Sequence, residues 1–125
     1  MRPWIDDCYN AESVEEIVDR LQRSQAADAA ALASMRKASP TSLKITLRNL
    51  RDAAEFTRVE DCFRQDYRVA LACIGEHDFI EGIRAAVVDK DRNPVWRPDR
   101  LEAVTPDLVA RHFRSVGALE LKFED

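Results

Sequence analysis

Residues 39–53, SPTSLKITLRNLRDA, and residues 76–98, EHDFIEGIRAAVVDKDRNPVWRP, decide the fold class of this 125-residue chain. In the first, Ser39 stands before Pro40. A hydroxyl that accepts an orphan N–H, followed by a proline at the first helical position, starts a helix. In the second, Asp78-Phe-Ile-Glu81 repeats the capping pattern with a carboxylate, and Gly75 just before it offers a left-handed stop to the preceding helix. Arg92-Asn93-Pro94 and Arg97-Pro98 then punctuate an extended segment around Val95 and Trp96, because proline cannot donate to a ladder and biases its predecessor out of the helical region.

The same signals recur outward from these two stretches. Ser13-Val-Glu-Glu16 and Thr57-Arg-Val-Glu60 fit the capping box, and Thr105-Pro106 repeats the hydroxyl-proline start. The alanine-rich run Ala26 to Ala38 has the highest helix propensity in the chain. The reading is mainly α: helices near 13–23, 26–38, 40–53, 58–74, 79–88 and 106–114, with almost no strand signal. Apolar residues fall at helical spacing, as Val14, Ile17, Val18 and Leu21; Leu43, Leu47 and Leu50; and Val59, Cys62, Phe63, Val69, Ala70 and Cys73. No repeat or linker divides the chain, so residues 1–125 read as a single unit.

Composition bounds the function. The apolar fraction of 46% with 34% charged residues is ordinary for a globular protein. No stretch has the roughly 20 apolar residues a membrane span needs, and MRPWIDDCYN lacks a secretory pattern, so an intracellular chain without membrane partners is expected. Cys8, Cys62 and Cys73 show no C-x-x-C spacing; reduced thiols are expected, with neither a disulfide framework nor a zinc site. A net charge of −4 disfavours nucleic acid as a partner. Lys44, Arg48 and Arg51 nevertheless share one helical face, read as a solvated face pairing with acids rather than a phosphate stripe.

No catalytic residue is nominated. Glu12, Glu15, Glu16, Glu60 and Asp61 cluster in first helical turns, where they complement the dipole. His77 precedes an apparent cap and reads as a surface or cap residue, and His112 falls in a last helical turn, where a cation is favoured. Neither accompanies a nucleophile motif, and three glycines leave little scope for a phosphate-cradling loop. The segment Ala86 to Pro94 holds the one site candidate, Lys90, which is also an ordinary C-terminal helix charge.

Taken together, Ser39 to Arg48, Glu81-Gly82 with the Asp89-Lys90 and Pro94 that follow, Trp4 to Cys8, Ser13 to Ile17 and Thr105 to Phe113 resemble the C-terminal third of the 3-hydroxyisobutyryl-CoA hydrolases. These form a branch of the crotonase (enoyl-CoA hydratase/isomerase) superfamily. The resemblance implies the C-terminal helical part of a crotonase-type fold with the α/β spiral core missing from this chain, and a parent activity of CoA-thioester hydrolysis in valine breakdown. It implies no cofactor beyond coenzyme A as part of the substrate, bound only together with the core, and places Lys90 at the coenzyme A phosphates. The superfamily's aromatic residue three positions earlier is here Val87. The oxyanion hole and acid/base carboxylates of the family lie upstream of this segment, so the isolated chain is expected not to catalyse. Self-association or association with a crotonase core is expected, in the cytoplasm of a bacterium or the mitochondrial matrix of a eukaryote. A non-catalytic helical interaction module and a family member of other substrate specificity are the alternatives.

Overall fold

The computed structural model describes residues 3–24 and 29–123, and among them no strand forms. Seven helices follow one another: α1 (Pro3–Tyr9), α2 (Val14–Arg23), α3 (Ala29–Lys37), α4 (Pro40–Glu55), α5 (Val59–Ile74), α6 (His77–Ile83) and α7 (Pro106–Arg111). The helix-rich expectation holds. Residues 26–28 of the alanine-rich run lie outside the described residues, and α1 had no start signal in the sequence.

Three of the expected caps form. Ser13 accepts from the Glu16 N–H at 3.2 Å, Ser39 from the Ser42 N–H at 3.1 Å, and Thr105 from the Leu108 N–H at 3.2 Å. The Ser13 box is not reciprocal, because the Glu16 carboxylate accepts from the N–H of Glu12, one residue before the cap. Thr57 caps nothing: α5 begins one residue later, behind Arg58, and Glu60 pairs with Arg58 instead of reaching back. Asp78 is not a cap either. The helix already starts at His77, which leaves the carboxylate inside the first turn and free to bond across the fold. Gly75 ends α5 with φ −82°, right-handed rather than left-handed, and only Glu76 separates it from the next helix.

After Ile83 the helix widens into a π-type turn over Arg84–Val88, closed by Asp89 N–H donating to the Arg84 carbonyl at 2.8 Å. Arg92 N–H donates back to the Ala85 carbonyl at 3.0 Å, with Lys90 and Arg92 both at φ 58°. Residues 93–96 then cross α6 outside any helix, as expected around Val95 and Trp96, and the chain bends at Arg97-Pro98. Trp96 lies over Gly82, where an added Cβ would meet the indole at 3.4 Å, and its Nε1–H donates to the Lys37 carbonyl at the end of α3.

Two apolar cores hold the helices. One gathers Cys8, Ala11, Ile17 and Leu21, with Trp4, Leu32, Met35 and Leu47 against it; the other gathers Ile45, Val104 and Val109, with Val69, Cys73, Leu108 and Phe113. The helix α4 runs between them. Its buried residues are therefore Pro40, Thr41 and Ile45, while Leu50 of the expected Leu43/Leu47/Leu50 stripe is 65% exposed. The α5 stripe is corrected in the same way: Val59 and Phe63 are exposed, and the buried position of that helix is Gln65, whose amide donates to the Asn49 Oδ1 at 2.8 Å. Packing on α4 from one side selects a narrower face than the apolar pattern offers.

Candidate functional site

The α4 start, the α5 end, α6 with its π-type turn, α7 and the Trp96-Arg97 strap enclose a cavity of about 530 Å³. That is the size class of ligand pockets. Its walls are mainly apolar, from Ile45, Phe79, Ile83, Ala86, Val87 and Leu108. One rim is a closed polar network. Asp78 accepts from the Ser39 hydroxyl at 2.6 Å, from the His77 Nδ1–H at 2.9 Å and from the Arg97 N–H at 2.8 Å, and so joins the start of α4, α6 and the strap. His77 takes the half-buried role of donor in this network.

Two other polar groups line the same cavity. Thr41 is 8% exposed and its Oγ1 has no hydrogen-bond partner among the described residues. His112 is 2% exposed, and its Nδ1–H donates to the Leu108 carbonyl at 2.9 Å. His112 stands at the end of α7, as the sequence suggested, and is buried there. Cys73 also faces the cavity, and burial pushes its thiol above the ordinary range, with the Glu76 charge adding to the shift.

Beside the cavity, Arg84 gathers four acceptors. Its guanidinium holds Glu81 through two bonds of 2.7 and 2.9 Å, Asp89 and Asp91 at 2.7 Å each, and the Asn93 carbonyl at 3.3 Å. Glu81 also accepts from the Val95 N–H. The Arg84 bonds, followed by that N–H, hold the Glu81 carboxyl at a pKa of about 2. Asp91 lies below its ordinary value, first because of Arg84 and then because of the Asn93 N–H. Arg84 is itself raised, Glu81 first among the causes. Lys90 sits exposed at the tip of this turn, between the two aspartates that Arg84 occupies.

The basic face of α4 lies on the far side, along a groove of about 360 Å³. Lys44 pairs with Glu15 at 2.6 Å and donates to the Val104 carbonyl; Arg48 reaches Asp52 at 3.5 Å and covers the Phe113 ring; Arg51 donates to the Ala11 and Glu12 carbonyls. Partial burial, the largest single influence, raises the Glu15 pKa, but the Lys44 hydrogen bond, a backbone N–H and the Lys44 charge together outweigh it and leave the group below its ordinary value. All three cations are used within the fold: Lys44 joins α4 to α2, Arg51 ties it to the turn between α1 and α2, and Arg48 pairs within α4 and packs on Phe113. Glu16 pairs with Arg20 and Asp61 with Arg64, so the first-turn acids stay structural. Among the described residues no group of three metal-ligating side chains comes together, and no helix is long and apolar enough to cross a membrane.

The sequence offered no signal for Thr41 or for Arg84. A threonine beside a helix start is indistinguishable from a capping residue until its burial is known, and one arginine among many looks solvated.

Known proteins place this geometry. The model of the enoyl-CoA hydratase/isomerase family matches residues 1–113. The chain belongs to that family. Among its curated members, the chain is 42% identical to the mitochondrial 3-hydroxyisobutyryl-CoA hydrolase of Homo sapiens over 120 residues, which is 95% of this chain and 31% of that protein. It is 42% identical to the Gallus gallus protein of the same name over 94% of this chain and 31% of the other. Of solved structures in the family, a carnitinyl-CoA dehydratase from Mycobacterium thermoresistibile superposes with a TM-score of 0.89 at 41% identity, over 98% of this chain and 35% of the other. An enoyl-CoA hydratase from Rhodobacter sphaeroides 2.4.1 gives 0.85 at 35% identity, over 97% and 37%. The chain thus spans about a third of the length of the family members it matches. Its helices correspond to the C-terminal helical part of a crotonase-type protein, as the sequence implied.

Proposed function

We propose that the chain supplies the C-terminal helical part of an acyl-CoA thioester hydrolase acting on 3-hydroxyisobutyryl-CoA, and that the groups performing the chemistry belong to the rest of the fold. The observation that carries this reading is the 42% identity to the human hydrolase along 95% of the chain. The state of the polar groups supports it. The cavity-side carboxylates Asp78 and Glu81 are each bonded to neighbouring segments, and burial raises the Cys73 thiol above its ordinary range. Lys90 at the tip of the Arg84-bound turn contributes a point charge to the coenzyme A phosphates. The exposed apolar residues of α6 and α5 serve association with a crotonase core or another copy. For a eukaryotic source the proposed location is the mitochondrial matrix, the curated relatives being named as mitochondrial, and for a bacterial source the cytoplasm.

A second reading, hydration or dehydration of another acyl-CoA, draws on the carnitinyl-CoA dehydratase at 41% identity. A thiol-release assay on this chain alone tests the proposal. No turnover of 3-hydroxyisobutyryl-CoA above background is expected, and turnover of order 1 per second or faster overturns it.

A further inference from the structure

The turn that follows α6 holds two left-handed residues, and neither is a glycine. Lys90 and Arg92 both stand at φ 58°, a backbone region that glycine enters freely and that crowds the side chain of any other residue. Strain of this kind persists only where the surroundings impose it, and it gathers at ligand-holding turns. The π-type widening over Arg84–Val88 just before it is a second feature of the same sort, since such turns interrupt helices mostly at functional positions.

Arg84 imposes the strain. Its guanidinium holds Asp89, the residue before Lys90, and Asp91, the residue after it, each at 2.7 Å, and is itself held by Glu81. The Arg92 N–H closes the turn on the Ala85 carbonyl at 3.0 Å, and the Asn93 N–H donates to Asp91 at 2.9 Å. The acidic and basic residues of the turn are thereby separated. Asp89 and Asp91 are engaged by Arg84, whereas the side chains of Lys90 and Arg92, which alternate with them, are exposed and make no hydrogen bond or ion pair among the described residues. Without Arg84 the two carboxylates would be the nearest partners of those cations and would repel an arriving anion.

We infer that Arg92 is a second phosphate contact beside Lys90, and that Arg84 is the positioning residue that shapes the turn and keeps both cations free for an anion. The inference rests on the function proposed above, which supplies a substrate bearing several phosphates, and adds to it two residues of this chain. Lys90 acts as a point charge, whereas the planar guanidinium of Arg92 can hold one phosphate through two bonds. A braced turn also loses less freedom on binding than two cations on a mobile loop would.

The test uses the human 3-hydroxyisobutyryl-CoA hydrolase with its matched third replaced by this chain. It compares KM for 3-hydroxyisobutyryl-CoA with KM for the acyl-pantetheine, which lacks the nucleotide phosphates. Arg92→Ala is expected to raise KM for the CoA thioester about three- to five-fold at low salt and less at high salt, and to leave KM for the acyl-pantetheine unchanged. Arg84→Gln is expected to raise KM for the CoA thioester about ten-fold, near the loss of both contacts together. It should spare the acyl-pantetheine and add nothing in a chain already carrying Lys90→Ala and Arg92→Ala. A residue that merely supported the fold would impair both substrates and keep its effect in that background. Arg92→Ala acting equally on both substrates, or on neither, overturns the second contact. Arg84→Gln acting on both substrates alike, or keeping its full effect without the two cations, overturns the positioning role. Should Arg84→Gln fail to fold, Arg84→Lys, which keeps the charge but not the set of contacts, takes its place under the same criteria. Either overturning result in an active parent chimera leaves the proposed function standing, and an inactive parent chimera sinks both.

Discussion

Ile45→Ala and Leu50→Ala on the same helix separate burial from sequence pattern. Ile45 is 5% exposed in the second core, among Val104, Val109, Val69 and Cys73, whereas Leu50 is 65% exposed. Truncating Ile45 removes three carbons, a transfer loss of about 2.4 kcal/mol at roughly 0.8 kcal/mol per methylene. The cavity left behind adds to this, and alanine's better helix propensity returns a few tenths. The expected loss is about 2–4 kcal/mol. Leu50→Ala removes the same number of carbons from a side chain that water already reaches, and should change stability by less than about 0.5 kcal/mol. Urea unfolding followed by circular dichroism measures both, with an unchanged slope showing that the denatured state is unaltered. Equal losses for the two variants, or a larger loss at Leu50, would refute the placement of α4.

Glu81 gives a pH dependence. Its folded pKa of about 2 lies below the ordinary 4.5, so the folded state binds the proton less readily and the stabilisation is present above about pH 4.5. It is lost as pH falls through 2, and the stability gap between the parent chain and Glu81→Gln should close across that window in acid titrations. Ser13→Ala and Thr105→Ala each remove a cap and should cost about 1 kcal/mol, whereas Thr57→Ala should cost less than about 0.5 kcal/mol, as denaturant midpoints will report. Cys73 should alkylate slowly at pH 8 until denaturant is added, a rate that peptide mass mapping resolves; fast labelling in the folded chain would contradict its raised pKa. In a complete enzyme carrying this segment, Lys90→Ala should raise KM for the CoA thioester and leave KM for the acyl-pantetheine unchanged, an effect of at most about 1 kcal/mol that fades with salt.

The helix starts at Ser13, Ser39 and Thr105 were legible because a cap is a local contact, decided by three or four consecutive residues. So was the family, from motifs spread along the chain. The faces were not. In α4 the sequence offers Leu43, Leu47 and Leu50 as well as Ile45, and which of them is buried depends on α7 and α2, both packed against the helix. The burial of His112 was not legible at a last helical turn, and Asp78 reads as a cap because its partners Ser39 and Arg97 are 39 and 19 residues away. Arg84 follows the same rule: the turn that folds Asp89 and Asp91 onto it exists only once the π-type turn has formed. Long-range partners decide these roles, and single-sequence spacing does not carry them.

The most direct test is a chimera in which this chain replaces the matched third of the human 3-hydroxyisobutyryl-CoA hydrolase. If the chain is the helical part of such an enzyme, the chimera hydrolyses 3-hydroxyisobutyryl-CoA with kcat within about ten-fold of the parent, a loss below roughly 1.4 kcal/mol in barrier. A folded, soluble chimera with no thiol release would contradict the account.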